Sequence, residues 1–296
     1  KNMKNKKKIL ILGSNSLIGN SLIGKLNKKY TIFTTYHIKK INKNDLKIDL
    51  LDVKTLEDAF AVSKPDIVIN LCGVYKNLDY CEKNKKFVMD INGKALKIIS
   101  KISNQYNSFL IGFSSDFVFD GKSGNYKEDD QVSPINYYGK TKAMGEKNIQ
   151  ENANDYCIIR ASMIYGKNQL RNTLADMILN KVRLGEELKI INDQFMTPTH
   201  LENFTKMLTE IIEMKYKGII HLAGPERMSR YDFAKKLVSL SNFKDTFLLP
   251  VSYNEFDFSK KMPKDSSLNT EKAISLLLNG PEKVENSLKK YLKDIL

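Results

Sequence analysis

Short apolar runs alternate with segments of helical spacing over residues 8–160. Residues 8–12 and 66–72 consist mainly of Ile, Leu and Val, a pattern typical of strands buried on both faces of a parallel sheet. Between such runs, apolar residues recur every three or four positions, as they do on one face of a helix. The predicted strands are 8–12, 30–36, 46–48, 66–72, 109–113 and 156–160. The predicted helices are 17–26, 55–62, 87–103 and 137–150.

This alternation predicts an α/β fold with a doubly wound parallel sheet of the Rossmann type. After residue 165 the rhythm loosens, which indicates a second, smaller α/β lobe. Ser229 is a plausible N-cap for one of its helices, since a serine side chain can accept from the first free backbone amides. The later predictions are helices at 174–183, 201–214, 229–240, 270–278 and 282–292 and a strand at 218–223.

A glycine turn follows the first predicted strand. Gly13-Ser-Asn-Ser-Leu-Ile-Gly19 lies between a strand and a helix, the layout that brings a dinucleotide pyrophosphate to a helix N-terminus. The usual spacing has glycine where Ser16 stands, so the motif is imperfect, and an ordinary strand-to-helix turn is the alternative. The residues predicted to bind the cofactor here are Gly13, Ser16, Leu17, Ile18 and Gly19.

The end of the second strand bears on the choice of cofactor. An NAD site commonly has an acidic residue there for the ribose hydroxyls, but this chain has His37 and Lys39 and no acid before Asp45. A 2′-phosphate would suit these side chains, so we favour NADPH, with NADH as the alternative; ordinary surface charge would also explain the lysine. Asp49 and the adjacent Leu50 are expected beside the adenine.

The fourth strand ends in a further candidate segment. The carboxyl ends of parallel strands face the ligand crevice in sheets of this kind. Leu71, Cys72 and Gly73 follow the buried run and are therefore predicted to line the cofactor site.

Tyr138 and Lys142 stand in Y-x-x-x-K spacing, which places both side chains on one face of a helix. A lysine ammonium at this position favours the tyrosinate and can hold a ribose, and the tyrosine can pass a proton to a carbonyl oxygen. Tyr36 and Tyr231 match the same spacing with a lysine, which we attribute to chance in a lysine-rich chain. Ser115, at the end of the preceding strand, offers a hydroxyl for the same carbonyl.

These motifs suggest two domains. Residues 1–165 form the expected NADP(H)-binding Rossmann domain, and residues 166–296 form mainly a substrate-binding lobe. Segments at about 190–225 are expected to return to the first domain.

Composition removes several function classes. The net charge is +14, but the lysines are spread along the chain and few basic residues are arginine, so we expect no nucleic-acid partner. No apolar run is long enough for a membrane span, so we expect no membrane contact. Three cysteines without a C-x-x-C spacing and three dispersed histidines predict no disulfide framework and no metal site, and suggest the cytoplasm. The oligomeric state stays open, with a homodimer as one candidate.

Several segments together resemble the dTDP-4-dehydrorhamnose reductases, which are extended short-chain dehydrogenases acting on nucleotide sugars. The most specific is the block from Ser114-Ser-Asp-Phe-Val-Phe-Asp-Gly121 through Tyr138-Gly-Lys-Thr-Lys142 to Glu146. Asp193-Gln-Phe-Met-Thr-Pro-Thr199 resembles the family's D-Q-F-x-x-P-T signature, and Gly224–Tyr231 and Pro263–Leu268 resemble later segments.

The resemblance implies an activity and a set of roles. It implies NADPH-dependent reduction of the 4-keto group of a nucleotide-linked 6-deoxysugar, in the biosynthesis of a surface polysaccharide. Tyr138 would be the proton donor, Lys142 its ribose-binding partner, and Ser115 would take the place of a hydroxyl residue, often threonine, near the ketone. The residues expected to bind substrate are Ser115, Asp116, Met163, Asn172 and Gln194.

Three departures and two alternatives accompany this interpretation. Met163 stands where the family usually has tryptophan, Met196 where a small residue is usual, and Met262 where an arginine often precedes the proline. The substrate is therefore expected to differ in detail, and its nucleotide and sugar stay open. The same resemblance includes an NADP-binding regulatory subunit of a methionine adenosyltransferase. A nucleotide-sugar epimerase or dehydratase that retains its cofactor is the other alternative.

Overall fold

The computed structural model describes residues 6–167, 172–244, 247–255 and 261–295, which fall into two compact units. The first comprises residues up to Ser114, Tyr137–Ile159 and Ile211–Ile219. The second comprises Ser115–Asn136, Arg160–Glu210 and the chain from Ile220 onward. The prediction placed a boundary at residue 165 and expected segments at about 190–225 to return to the first domain; each of the two units is assembled from several pieces of chain.

The elements of the N-terminal half follow the predicted alternation. Short insertions of 3₁₀ and π geometry occur at Asp116–Val118 and Asp90–Lys94. The elements are β1 (Lys8–Leu12), α1 (Leu17–Leu26), β2 (Thr31–Tyr36), β3 (Leu46–Lys47), α2 (Val53–Ser63), β4 (Ile67–Asn70), α3 (Leu78–Lys83), α4 (Lys85–Met89), α5 (Ala95–Gln105), β5 (Phe109–Ser115), α6 (Tyr137–Asn152) and β6 (Tyr156–Ala161).

The C-terminal half contains several strands of two to four residues that the sequence did not reveal. They are short because each is one half of a two-stranded pairing: β7 with β10, β8 with β13, and β9 with β12. The elements are β7 (Ile164–Tyr165), α7 (Leu174–Arg183), β8 (Leu188–Ile191), β9 (Phe195–Met196), β10 (Thr199–His200), α8 (Leu201–Met214), β11 (Gly218–His221), β12 (Met228–Ser229), α9 (Arg230–Leu240), β13 (Leu248–Val251), α10 (Glu271–Leu276) and α11 (Val284–Ile295).

The described residues form a seven-stranded sheet with the order β11-β6-β5-β4-β1-β2-β3. β1 is parallel to both of its neighbours, with Leu10 opposite Phe33 of β2 and Val68 of β4. The order reverses beside β1, as it does in doubly wound folds that bind nucleotides at the carboxyl ends of their strands. The expected fold class is therefore confirmed.

Each unit has its own apolar core. In the first, β1, β4 and β5 are buried against α2 and α5, with Leu10, Phe60 and Ile99 fully enclosed. In the second, α7, α9 and α11 pack around Tyr165, Phe233 and Leu288. Burial of side chains this large, at about 25 cal/mol per Å² of apolar surface, supplies the main force that holds each unit together.

The predicted helix at 87–103 is one continuous helical stretch built from three pieces. α4 ends at Met89, the π-helical turn covers Asp90–Lys94, and α5 begins at Ala95. Inserted π turns are rare and are frequent at functional sites. Among the described residues, no helix combines the length and apolar character needed to cross a bilayer.

Candidate active site

The turn between β1 and α1 has room for glycine alone at its two ends. Gly13 has φ +77°, and a Cβ there would lie 2.9 Å from the Cys72 amide nitrogen. A Cβ on Gly19 would lie 2.2 Å from the carbonyl oxygen of Ser14. The first glycine lets the turn approach the end of β4, and the second lets α1 close on the turn.

Ser16 has a specific role in this turn. It is the N-cap of α1, with extended backbone (φ −88°, ψ 166°), and its hydroxyl accepts a hydrogen bond from the Gly19 amide at 3.1 Å. A serine can therefore replace the usual glycine because it caps the helix. The resulting cradle, a glycine turn before a ten-residue helix, fits a dinucleotide pyrophosphate.

The end of β2 is joined to the glycine turn through Thr35. The Gly13 amide donates to Thr35 Oγ1 at 3.1 Å, and the Ser14 hydroxyl donates to the Thr35 carbonyl oxygen at 2.8 Å. His37 and Lys39, just beyond, are exposed. The turn is thus fixed to β2, and the two basic side chains extend into solvent beside it.

Asp49 and Leu50 differ in what they present. Asp49 Oδ1 accepts a hydrogen bond from the Leu51 amide at 2.9 Å, and its Oδ2 lies 3.7 Å from His37 Nε2. The Leu50 side chain is buried in the core of the first unit. Asp49 therefore presents a carboxylate beside His37, whereas Leu50 is part of the apolar core.

The predicted segment after β4 lies beside the glycine turn. Leu71 is buried and its amide donates to the Leu12 carbonyl oxygen at 2.8 Å, which extends the β1–β4 pairing. Burial raises the pKa of the Cys72 thiol to about 12, so it is neutral at physiological pH. Gly73 is covered by the ring of Tyr75, whose Cζ would lie 2.9 Å from a Cβ at Gly73.

Tyr138 and Lys142 occupy successive turns of α6. Tyr138 is half-buried and packs against the apolar cluster of Val74, Cys81 and Val88. Lys142 is only 5% exposed, and its Nζ donates to the Phe113 carbonyl oxygen at 2.9 Å. Burial lowers the pKa of Lys142 to about 8, although the charge of Glu146 partly opposes the shift. Lys142 is thus a buried ammonium whose pKa, about 8, lies close to neutral pH.

Asn92 connects this helix to the segment after β4, and sequence reasoning missed it. Its Nδ2 donates to Thr141 Oγ1 at 3.2 Å, and its Oδ1 accepts from the Val74 amide at 2.8 Å. Asn92 is 3% exposed and lies in the π-helical turn. The one available signal was an Asn-Gly pair inside a predicted helix, since such pairs are uncommon in regular helices.

In the second unit, Asp116 is the centre of a buried hydroxyl network. Burial raises the pKa of Asp116, and the hydrogen bonds of the surrounding serines oppose the shift. Three serine hydroxyls donate to its carboxylate: Ser115 to Oδ1 at 2.8 Å, Ser162 to Oδ2 at 2.9 Å and Ser266 to Oδ2 at 2.6 Å. The Ser115 hydroxyl hydrogen is therefore directed at Asp116.

Gln194 uses both ends of its side-chain amide within the second unit. Its Oε1 accepts from Arg230 Nε at 2.6 Å, and its Nε2 donates to the Pro263 carbonyl oxygen at 3.0 Å. Gln194 is 3% exposed. In this arrangement Gln194 positions the half-buried Arg230. Burial lowers the pKa of Arg230, and the negative charge of Asp116 opposes that shift.

The remaining predicted substrate residues are less constrained. Met163 is half-buried against the core of the second unit and has φ +24°, which is unusual for a side chain other than glycine. Asn172 is exposed and comes directly before Thr173, the N-cap of α7. Met196 is buried in β9, and the Met262 carbonyl oxygen accepts from the Tyr253 hydroxyl.

Arg160, near the end of β6, has a structural role. It is 2% exposed, donates to the Glu128 carbonyl oxygen at 3.0 Å and lies 5.0 Å from the Phe119 ring centroid. Across the described ranges, no group of three or more His, Cys, Asp and Glu side chains is arranged to hold a metal ion.

The fold and these side chains define the class of protein. A doubly wound sheet, a glycine turn that fits a pyrophosphate and a tyrosine one turn from a buried lysine are the parts of an NAD(P)H-dependent oxidoreductase. Residues 7–296 match the family described as the RmlD substrate binding domain, and the chain belongs to that family. The family expected from the motifs is confirmed.

Individual relatives cover nearly the whole chain. The spore coat polysaccharide biosynthesis protein SpsK of Bacillus subtilis is 27% identical over 97% of both chains. The methionine adenosyltransferase 2 subunit beta of Rattus norvegicus is 24% identical over 91% of this chain and 82% of its own. The solved dTDP-4-dehydrorhamnose reductase of Bacillus anthracis, in complex with NADP, has a TM-score of 0.87 at 27% identity and covers 98% of this chain and 99% of its own.

Proposed function

We propose that this chain uses NADPH to reduce the 4-keto group of a nucleotide-linked 6-deoxysugar, in the cytoplasm, for polysaccharide biosynthesis. The observation that carries the proposal is the position of Tyr138 one turn before the buried Lys142 on α6. The family match over residues 7–296 and the similarity to a dTDP-4-dehydrorhamnose reductase with NADP support the substrate class and the cofactor.

The cofactor site is proposed to lie along the carboxyl ends of β1, β2 and β4. The turn from Gly13 to Gly19 takes the pyrophosphate at the N-terminus of α1. When NADPH is bound, His37 and Lys39 would hold its 2′-phosphate, and Asp49 would bind the adenine. NADPH, when bound, supplies the hydride that reduces the ketone.

Tyr138 is proposed as the acid of the reaction. Its hydroxyl gives a proton to the ketone oxygen as the carbon receives the hydride, so that the carbonyl becomes an alcohol. The positive charge of Lys142 favours the tyrosinate that remains. Because the pKa of Lys142 is about 8, this charge is largely present at neutral pH and is lost in mildly alkaline solution.

The second unit is proposed to bind the sugar nucleotide. Ser115, Met163, Asn172 and Arg230 are the candidate contacts, and Gln194 acts by holding Arg230 in place. Asp116 acts in the same indirect way, because its carboxylate orients the Ser115 hydroxyl.

The test is NADPH oxidation by the purified protein with a panel of nucleotide-linked 4-keto-6-deoxysugars. Tyr138→Phe should lower kcat by about a hundredfold or more while the Kd for NADPH stays within about threefold of the original value. Tyr137→Phe is the matched control, because it removes a hydroxyl from the neighbouring residue of the same helix. Normal turnover in Tyr138→Phe would refute the catalytic assignment.

A second candidate is a non-catalytic, NADP-binding regulatory subunit. It is favoured by the similarity to the methionine adenosyltransferase 2 subunit beta, which extends over 91% of this chain. The two candidates separate in one assay: the reductase oxidises NADPH with a sugar of the panel. The regulatory subunit binds NADPH without any turnover and changes the activity of an added methionine adenosyltransferase.

A further inference from the structure

Tyr75 covers two residues of the proposed cofactor site. It lies in the segment between β4 and α3, and its ring centroid is 5.3 Å from Lys142 Nζ. The same ring lies against the Cα of Gly73, since a Cβ there would be 2.9 Å from Cζ and 3.1 Å from the hydroxyl oxygen of Tyr75. One aromatic side chain therefore touches both the lysine and the backbone that the cofactor needs.

Tyr75 is far more exposed to solvent than Lys142. Lys142 is 5% exposed, and its Nζ is bonded to the Phe113 carbonyl oxygen within the first unit. Tyr75 is 45% exposed, so solvent already reaches a large part of the residue whose ring covers the ammonium. For Nζ to reach a ribose hydroxyl at hydrogen-bond distance, a covering group has to leave, and the half-exposed ring is the group that solvent already reaches.

Two of the contacts that hold the ring are individually weak. The Tyr75 hydroxyl donates to the Leu71 carbonyl oxygen at 3.3 Å, a long hydrogen bond, and the ring makes one cation–π contact with Lys142. The backbone beside it is held more firmly, because the Val74 amide donates to the buried Asn92 Oδ1 at 2.8 Å. A rotation of the side chain would uncover Lys142 while the backbone, held by this bond, stays in place.

We propose that Tyr75 is a further residue of the cofactor site, a cover that the nicotinamide ribose displaces from Lys142 and Gly73. The inference rests on the proposed function as far as the cofactor is concerned, because it assumes that Lys142 holds the ribose of NADP(H). The covering of Lys142 by the ring does not depend on which sugar, if any, the chain reduces.

The first experiment measures access to Lys142 without nucleotide. The protein is treated with an amine-acylating reagent near pH 8, and modification of the Lys142 peptide is followed by mass spectrometry. In Tyr75→Ala, Lys142 should react about fivefold faster or more, since the covering ring is gone; in Tyr75→Phe, which keeps the ring, the rate should stay close to the original. Phe87→Ala, which truncates a 43%-exposed ring elsewhere in the first unit, is the control and should change nothing. Equal rates of Lys142 acylation in Tyr75→Ala and the original protein would overturn the proposal that the ring covers Lys142.

The second experiment measures the Kd for NADPH by titration. Tyr75→Ala should bind NADPH about threefold to tenfold more tightly, because the ribose no longer competes with the ring. Weaker binding in Tyr75→Ala would overturn displacement, since the ring would then be a contact of the cofactor. Failure of the unmodified protein to bind NADPH would overturn this inference and the proposed function together, whereas binding without turnover of any sugar would overturn the proposed substrate only.

The chain also permits a direct optical test, because it contains no tryptophan. Tyr75→Trp places one indole at the cover, and Phe87→Trp places one at the control position. Saturation with NADP⁺ should move the emission of Tyr75→Trp to longer wavelength as the indole enters water, and should leave that of Phe87→Trp in place. An unchanged spectrum of Tyr75→Trp at saturation would contradict the displacement.

Discussion

Gly145 of α6 lies directly against the backbone of Asn92. A Cβ on Gly145 would be 2.5 Å from the Asn92 carbonyl oxygen, a distance at which something must shift. The contact is backbone to backbone, so no flexible side chain can yield. It sets the position of α6, and with it that of Tyr138 and Lys142.

Gly145→Ala is therefore expected to lower the free energy of unfolding by about 1 to 3 kcal/mol, because the new methyl group forces α6 away from the π-helical turn. Urea denaturation checks this. The matched control is Gly24→Ala in α1, where a Cβ would meet nothing within 4 Å. There we expect a gain of up to about 1 kcal/mol from helix propensity. Equal midpoints for the two variants would contradict the steric argument.

Lys142→Met should stabilise the protein at neutral pH while it abolishes turnover. The pKa of Lys142 is about 8 in the folded chain and 10.5 as its ordinary value, so at pH 7 folding buries a charge. Allowing for the lost hydrogen bond to Phe113, we expect a gain of about 1 to 2 kcal/mol in the free energy of unfolding.

The stability difference between the original protein and Lys142→Met should depend on pH. Between about pH 8 and pH 10.5 the unfolded chain holds the Lys142 proton and the folded chain does not, so the original protein gains stability relative to Lys142→Met as pH rises. Lys140→Met, at an exposed position of the same helix, should show neither effect. A difference that stays constant over this range would show that the folded pKa is not lowered.

Lys39→Ala should weaken the preference for NADPH. Lys39 is exposed beyond β2, where its charge can meet a 2′-phosphate, and NADH lacks that group. We expect the ratio of kcat/KM for NADPH to that for NADH to fall about tenfold, more steeply at low salt. Lys43→Ala, an exposed lysine a few residues further on, is the control. An unchanged ratio would show that Lys39 does not interact with the 2′-phosphate.

His221 should make the fold sensitive to acid. It is fully buried, and burial followed by the charge of Arg160 lowers the pKa of His221 to about 3. Between its ordinary pKa of 6.5 and about 3, the unfolded chain binds a proton that the folded chain does not, so stability falls as pH falls.

The expected contribution of His221 is up to about 1.4 kcal/mol per pH unit across that range. Denaturation midpoints of the original protein and of His221→Gln, measured from pH 6.5 down to pH 4.5, check it. The slope should be shallower in His221→Gln even if that variant is less stable throughout. Parallel slopes would show that His221 is protonated in the folded state.

The sequence predicted the parts of the fold that local pattern determines. β1 and β4 are continuous apolar runs, and α6 begins with the block that carries Tyr138, so all three were found within a few residues of their ends. β7, β9, β10 and β12 were missed because each has two residues and exists only through pairing with a distant segment.

The same distinction applies to the site. Tyr138 and Lys142 share one helix, so their spacing was enough to pair them. Asn92 contacts Thr141 and Tyr75 contacts Lys142 from other segments of the chain, and these contacts depend on packing that no local motif encodes. Gln194 was expected at the substrate, but its position could not reveal that Arg230 and Pro263 already take both ends of its amide.

The division of the chain into interleaved pieces has a consequence for its synthesis. The first unit takes its last piece from Ile211–Ile219, which includes the first half of the edge strand β11. A nascent chain can therefore complete this unit only after about three quarters of the protein has left the ribosome, although the glycine turn emerges at the very start. A gene fragment that stops at residue 165 would lack that strand, so autonomous expression of the first unit requires a redesigned connection that supplies residues 211–219.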